Sequence, residues 1–399
     1  MDWKSYFDNT LSAVKQSGHY RTMHVVDAVD GPWVMVGGRK MLQFASNDYL
    51  GFSQHPRLRD AARRAVDQFG VGVGASRLVT GNNVLLDQLE QETAVFKGED
   101  AAIVFSSGYA ANVGVISALA GKGDRILSDR LNHASIVDGC RLSGARVEVY
   151  PHCDVTALQE LLKKDHPGGR TLIVTDGVFS MDGDLAPLDR IVPLCREHGA
   201  LLMVDDAHGT GVLGRSGRGI MEHLSLHDES VIQMGTFSKA LGGLGGFVAA
   251  SRPIIDFLKN RVRTLFYSTG LPSPVAASNR EGLQMVDEEP GARWRISAYA
   301  KRIRDALSGL GFEKIQSRTP IIPLIIGDAK TCMKFSQSLF NAGILAPAIR
   351  PPTVPEGTSR IRLTVSALHE ESHIEELIGI IAEIQRKEKQ WRAPRAASS

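Results

Sequence analysis

A chain of 399 residues, 43% hydrophobic and 23% charged, is too long for one small core and predicts two or three domains, or one large domain with a smaller companion. Its net charge of +2 argues against nucleic acid or an anionic membrane as the principal partner, and no apolar run reaches the length of a membrane span. The four cysteines (Cys140, Cys153, Cys195 and Cys332) have neither disulfide nor zinc spacing, and the start MDWKSYFDNT lacks the regions of a signal peptide, so the reducing cytoplasm is the expected compartment.

Trp3, Phe7, Leu11 and Val14 recur at helical spacing, which predicts an amphipathic helix that packs against another domain or subunit. Val25 to Phe44 reads as strands joined by turns at Asp30-Gly31 and Gly37-Gly38. Ser53 is the expected N-cap of a helix that opens at His55-Pro56 and closes at Gly70. The glycine run from Gly70 to Ser76 contains part of a dinucleotide fingerprint but lacks its preceding strand and later acid, so it reads as a flexible loop beside a ligand.

From residue 85 onward strand and helix alternate. A helix carrying Leu86, Leu89 and Val95 ends at Gly98, and strands are expected at Ala101–Phe105, Arg125–Leu127, Val147–Tyr150, Thr171–Thr175, Leu201–Val204, Val231–Met234 and Gly246–Ala250. Helical intervals separate most of them, including Pro187–His198 stopped by Gly199. The alternation implies an α/β fold with a mostly parallel, doubly wound sheet, whose ligands lie beyond the carboxyl ends of the strands. After Pro272 the pattern changes to helices up to about Leu310, strands at Ile321–Ile326 and Arg360–Val365, a helix at Cys332–Asn341, and a last helix carrying Ile374, Leu377, Ile378, Ile381 and Ile384. The expected organisation is an N-terminal segment 1–45, a large domain 46–285 and a small α+β domain 286–399, with Arg386 to Arg395 in a solvated tail.

Chemistry concentrates at the strand ends. The turn Ser106–Asn112 presents N–H groups and a helix N-terminus, which makes Ser107, Gly108 and Tyr109 an anion site, with hydroxyls from Thr236 and Ser238 close in the pattern. One apolar strand ends in Asp205, followed by His208, and another leads to Lys239 and the Gly242-Gly243 pair. Pyridoxal phosphate needs a carboxylate for its ring nitrogen and an amine for its aldehyde. Asp205 suits the first role, Lys239 the second, and His208 suits the ring hydroxyl. Three competing patterns have less behind them. His133 and Asp138 show the HxxxxD spacing of acyltransferases that work without this cofactor, Thr236-x-x-Lys239 resembles a serine-hydrolase motif without its companions, and Asp182-Gly183-Asp184 reads as a turn, so no metal is expected.

Several segments together resemble the α-oxoamine synthases, pyridoxal-phosphate enzymes of fold type I, and most of all their biotin-pathway branch. They are Ser46–Gly51 (SNDYLG), Asp129–Ser135 (DRLNHAS), Val178–Asp184 (VFSMDGD), Val204–Gly209, Thr236–Gly243 and Arg350–Pro355, and the resemblance runs from near Arg21 to the final helix. It implies that Lys239 holds the cofactor, that Asp205 pairs with the ring nitrogen, and that Ser180 and His208 contact the ring hydroxyl. It further implies Gly108, Tyr109 and Thr236 around the cofactor, His133 on the ring face, and Thr269 on the phosphate of the partner subunit's cofactor in a homodimer. Arg21 and Thr353 are implied near substrate, and Asn47 and Arg362 near the amino-acid carboxylate. The implied reaction is the decarboxylative condensation of L-alanine with a pimeloyl thioester, on coenzyme A or an acyl carrier protein. Glycine with acetyl-CoA or succinyl-CoA is the alternative within the family, and amino-group transfer to a keto acid lies outside it.

Overall fold

Aliphatic and β-branched runs become strands here, and glycine stops the helices between them. The computed structural model describes residues 2–17, 20–313 and 315–387; most of the tail expected from Arg386 to Arg395 lies outside them. The chain divides into two compact units, Met1–Ser46 with Met181–Gly183 and Ile296–Ser399, and Asn47–Ser180 with Asp184–Arg295.

In the first unit, strands β1 (Val26–Asp30), β2 (Trp33–Val36) and β3 (Arg39–Gln43) form an antiparallel meander through the two expected turns. In the second unit, β4 (Ala101–Phe105), β5 (Arg125–Asp129), β6 (Arg146–Tyr150), β7 (Thr171–Asp176), β8 (Leu201–Asp205), β9 (Val231–Thr236) and β10 (Gly246–Ala250) form one sheet. The remaining strands of the first unit are β11 (Ile321–Gly327), β12 (Ile344–Leu345), β13 (Ala348–Ile349) and β14 (Ser359–Thr364). There β12 joins β3 in parallel, and β11, β14 and β13 make a separate antiparallel sheet.

Among the described residues the sheet of the second unit has the order β4-β10-β9-β8-β7-β5-β6, parallel from β9 to β6, with β10 antiparallel to both neighbours. All seven expected strands are present, and the fold is the expected α/β class. Its inner strands are buried along nearly their whole length, as they must be when helices cover both faces of a parallel sheet. Ile103, Phe105, Val115, Ile116, Ile126, Val174, Met203, Ile232 and Val248 form one core cluster. Each such side chain contributes about 1.5–3 kcal/mol through burial. The helix Leu188–His198 stops where expected, because Gly199 takes φ 60°, a left-handed conformation that glycine enters without a Cβ penalty.

One local expectation, the cap of the second helix, needs correction. Ser53 is not an N-cap. Asp48 accepts the N–H groups of Phe52 (2.9 Å) and Ser53 (3.2 Å), which winds that stretch into a short 3-10 turn; His55 caps the following helix, with Pro56 at its first position. Val95 lies on the exposed side of the helix Val84–Lys97, while Leu86 and Leu89 carry its buried face. None of the glycine-rich residues 70–76 lines the cavity described below. The first helix, Trp3–Gln16, forms as expected, and its Trp3, Tyr6, Phe7 and Leu11 side chains are exposed. No helix of the described residues is long and apolar enough to cross a membrane.

Candidate active site

Adjacent parallel strands in register deliver their last side chains to one edge of the sheet. Asp205 ends β8 and Asp176 ends β7, and the two are register partners. Asp205 is well supplied with donors: Oδ1 accepts the Ala207 N–H at 2.9 Å, and Oδ2 accepts Asn112 Nδ2 at 2.6 Å. Asn112 sits on the helix Gly108–Leu119 and also donates to Ser135 Oγ at 2.8 Å. Asp206 belongs to a different environment, where it pairs with Lys97 Nζ at 2.8 Å, both side chains fully buried. Two consecutive carboxylates therefore have unlike partners.

Strand β9 ends at Thr236, and the loop beyond it closes on itself. Thr236 Oγ1 donates to the Gly245 carbonyl at 2.6 Å, Ser238 N–H donates to Thr236 Oγ1 at 3.2 Å, and Gly245 N–H donates to Ser238 Oγ at 3.0 Å. Gly242 takes φ 70°, and a Cβ there would lie 2.5 Å from Ser53 N, so only glycine permits the approach. The half-buried Lys239 is held on this loop.

Beyond β4, Ser107 is the N-cap of the helix Gly108–Leu119, its Oγ accepting the Ala110 N–H at 3.0 Å. Capping uses the Ser107 oxygen as an acceptor and leaves its O–H as a donor. The N–H groups of Gly108 and Tyr109 begin the helix, and the helix itself offers them no acceptor.

A cavity of about 200 Å³ opens where these ends meet. Lys239, Asp205, His208, His133 and Ser180 line it, together with Gly108, Tyr109 and Thr236. His133 caps the helix Ala134–Ser143, and its main-chain N–H donates to Asp176 Oδ2 at 3.0 Å. Burial holds the His133 imidazole below its ordinary pKa; Asp205 works against that and Lys239 adds to it. His208 Nδ1 lies 2.8 Å from the Tyr49 hydroxyl, both residues being buried. Asp176, fully enclosed, is pushed well above the ordinary carboxylate range by burial and then by the neighbouring Asp205 charge, with Lys239 opposing. Of the two register partners, Asp205 is the one held by a side-chain amide and a main-chain N–H, and Asp176 is the one that burial drives toward its protonated form.

A second network braces the loops that carry His133 and Ser180. His152 Nδ1 contacts Asp129 at 3.0 Å and Nε2 contacts Asp184 at 2.8 Å. Burial opposes the charged ring, but the hydrogen bonds to Asp129 and Asp184 outweigh it and push the pKa up to about 12. Asp129, His152 and Cys153 are close enough to share a metal ion. A ring protonated and bonded at both nitrogens has no lone pair to offer one.

The remaining expected site residues are Thr269, Asn47, Arg21, Thr353 and Arg362. Thr269 is outside the cavity and bridges to Ser76, while Asn47 Oδ1 accepts from the Tyr49 hydroxyl at 3.3 Å. Arg21, Thr353 and Arg362 belong to the first unit. Arg21 Nη2 donates to Thr353 Oγ1 at 3.3 Å, and both line a cavity of about 550 Å³ that also includes Arg350 and Phe340. Arg362 is buried on β14, opposite Pro323. Asp176, Asn112 and Tyr49 were not singled out from the sequence. Asp176 ends its strand as Asp205 does, which was the available signal; Asn112 and Tyr49 lie inside motifs already noted, but only the fold shows what they touch.

The donor set fits pyridoxal phosphate: N–H groups at a helix start and the Thr236 hydroxyl for a phosphate, a fixed carboxylate for a ring nitrogen, an amine for an aldehyde, and an imidazole for a ring face. Asn112 Oδ1, buried on the cavity wall, is left without a hydrogen-bond partner.

Comparison with known proteins gives the same answer. Residues 39–381 match the family described as aminotransferase class I and II. The chain is 50% identical to the 8-amino-7-oxononanoate synthase of Geobacter sulfurreducens over 379 residues, covering 94% of this chain and 97% of that protein. It is 49% identical to the enzyme of the same name from Geotalea daltonii over 384 residues, covering 96% and 98%. Among solved structures, the serine palmitoyltransferase of Sphingomonas wittichii superposes with a TM-score of 0.92 at 32% identity, covering 97% of this chain and 99% of that one. The 8-amino-7-oxononanoate synthase of Francisella tularensis does so with a TM-score of 0.76 at 27% identity, covering 87% and 98%. The chain therefore belongs to the class I and II aminotransferase family, pyridoxal-phosphate enzymes of fold type I, and within it to the α-oxoamine synthases.

Proposed function

We propose that this enzyme condenses L-alanine with a pimeloyl thioester, carried on coenzyme A or on an acyl carrier protein, giving 8-amino-7-oxononanoate, carbon dioxide and the free thiol carrier. The observation that carries this reading is identity of 50% and 49% over almost the full chain to relatives of that name. The cavity supports it by joining an amine, a carboxylate and two imidazoles around one small volume.

When bound, pyridoxal phosphate supplies an aldehyde that takes amines and a ring that draws electrons away from a carbanion. Lys239 provides the amine that holds it, and the same nitrogen takes the proton from Cα of alanine and returns one at the end. Asp205, fixed by Asn112 and the Ala207 N–H, keeps the ring nitrogen protonated. Gly108, Tyr109 and Thr236 bind the phosphate, Ser180 and His208 the ring hydroxyl, and His133 covers the ring face. Asn47 and Arg362 bind the amino-acid carboxylate, for which a guanidinium offers two parallel donors, and Arg21 and Thr353 bind the acyl substrate. A bond forms between Cα of alanine and the acyl carbonyl carbon as the C–S bond breaks and the thiolate leaves. The carboxylate is then lost as carbon dioxide, and Cα is reprotonated.

The reading includes a cytoplasmic homodimer with the site at the subunit interface, in which Thr269 reaches the phosphate in the partner subunit. Val71, Leu78, Val79 and Tyr267, all exposed, support such a pairing.

The test is purified protein given L-alanine and pimeloyl-CoA, scored for carbon dioxide and free thiol, beside glycine and L-serine with acetyl-, succinyl- and palmitoyl-CoA. Lys239→Ala is expected to lose the visible absorbance of the bound cofactor and at least 10²–10⁴-fold in turnover, the usual worth of a positioned base. Condensation by that variant at the unaltered rate, or a clear preference for another substrate pair, would overturn the assignment.

A further inference from the structure

Tyr49 is 1% exposed, so its hydroxyl has to find partners inside the protein. It finds two of the residues assigned above: His208 Nδ1 at 2.8 Å and Asn47 Oδ1 at 3.3 Å. The geometry points to Tyr49 as a positioning residue that joins Asn47, at the amino-acid end of the site, to His208, at the ring-hydroxyl end, in one hydrogen-bonded chain. This rests on the roles proposed for Asn47 and His208.

The chemistry of the three groups gives the chain a direction. A phenol has one proton, and an amide oxygen only accepts. When Tyr49 donates to Asn47, its oxygen is turned toward His208 to accept from Nδ1–H, and the imidazole is held in one tautomer and one orientation. Nδ1 is then committed to Tyr49, and Nε2 is the nitrogen that addresses a bound group. A carboxylate that accepts from the Asn47 amide N–H raises the electron density on Oδ1. That strengthens the Tyr49 donation and makes the phenol oxygen a better acceptor for His208, because successive hydrogen bonds polarise one another. Occupation of the amino-acid subsite is thereby transmitted to the residue on the ring hydroxyl.

Asp205, Lys239, His133 and Asp176 share the cavity with His208, and Asp48, whose carboxylate accepts from Phe52 and Ser53, adjoins Tyr49 in the chain. The pH midpoint of the bound cofactor's absorbance belongs to that whole group. Only the difference between variants is assigned to Tyr49.

Tyr49→Phe removes a single oxygen and keeps the ring that fills the core. The test compares it with the unaltered protein, both loaded with pyridoxal phosphate, by three measurements: the pH midpoint of cofactor absorbance without substrate, KM and kcat for L-alanine, and the thermal midpoint. The expected result is a midpoint displaced by about one pH unit, the size of one hydrogen bond to a titrating group, with a raised KM for alanine. Asn47→Ala is expected to displace the midpoint in the unaltered protein and to add nothing in the Tyr49→Phe background. An unmoved absorbance midpoint, whatever happens to thermal stability, would reduce Tyr49 to a packing residue, and additive effects of the two substitutions would break the chain between them. If the unaltered protein binds no pyridoxal phosphate, the functional reading itself has failed, and that outcome is visible before any variant is made.

Discussion

Lys97→Met tests the buried pair formed by Asp206, the residue that follows Asp205 in the chain. Lys97 Nζ lies 2.8 Å from Asp206 Oδ2, with 0% and 1% of the two side chains exposed. Nζ also donates to the Arg218 carbonyl and to Thr210 Oγ1, and Asp206 accepts from Thr210 Oγ1 (3.0 Å) and the Ile220 N–H (3.1 Å). Methionine preserves most of the aliphatic volume and deletes the charge. The carboxylate left behind is enclosed without its counter-ion, a situation that costs about 3–5 kcal/mol. A protein of ordinary stability has about 5–15 kcal/mol in all, so the loss is a large fraction of it. Burial already holds Asp206 above its ordinary pKa even though Lys97 pulls it down, and removing Lys97 raises it further. A carboxyl that holds its proton more tightly folded than unfolded stabilises the fold at low pH and loses that stabilisation as pH rises through the folded pKa. The deficit of Lys97→Met is therefore expected to be greatest near pH 8 and to shrink toward pH 5 as Asp206 takes up a proton. Urea unfolding of the unaltered and variant proteins at the two pH values measures it. Lys97→Met combined with Asp206→Asn removes both charges and is expected to recover much of the loss. A deficit under about 1 kcal/mol, or one that is equal at both pH values, would refute the argument, because a buried uncompensated charge has to show both the size and the pH dependence.

His152→Gln removes the charged clasp between Asp129 and Asp184 and is expected to cost about 1.5–3 kcal/mol, with weaker cofactor binding because the loops bearing His133 and Ser180 lose their brace. With its pKa raised from 6.5 to about 12, His152 stabilises the fold fully below pH 6.5 and progressively less above it, so the unaltered protein has an alkaline slope in urea unfolding that the variant lacks. His369 behaves oppositely. It lies flat on Phe44 with ring centroids 4.2 Å apart and an interplanar angle of 6°, Nδ1 accepts the Ser366 N–H at 2.9 Å, and burial draws its pKa down to about 4. Its neutral ring supports the fold above pH 6.5, and that support is lost as pH falls through about 4. His369→Gln is expected to be less stable at pH 7 but to lose less on acidification, which urea unfolding between pH 7 and pH 4 would show.

Much of the architecture could be read locally. The seven strands of the main sheet are apolar runs between turn residues, and Asp205 and Lys239 stand out because a carboxylate and an amine at buried strand ends are costly without a use. Gly199 announces its helix stop for an equally local reason. Ser53 shows the limit: its type and place suit a cap, but the Asp48 carboxylate, five residues back, winds the stretch into a tighter turn first.

Fold class, element order and the chemical character of the site follow from periodicity and residue type within short windows of the chain. It takes the folded chain to show that Asp205 is held by Asn112 while Asp206 pairs with Lys97, that Asp176 stands beside Asp205, and that Tyr49 meets His208. Those are partnerships between residues distant in the chain or on neighbouring strands. They arise when strands come into register and helices close over them, and burial then makes each polar contact matter far more than it would in water.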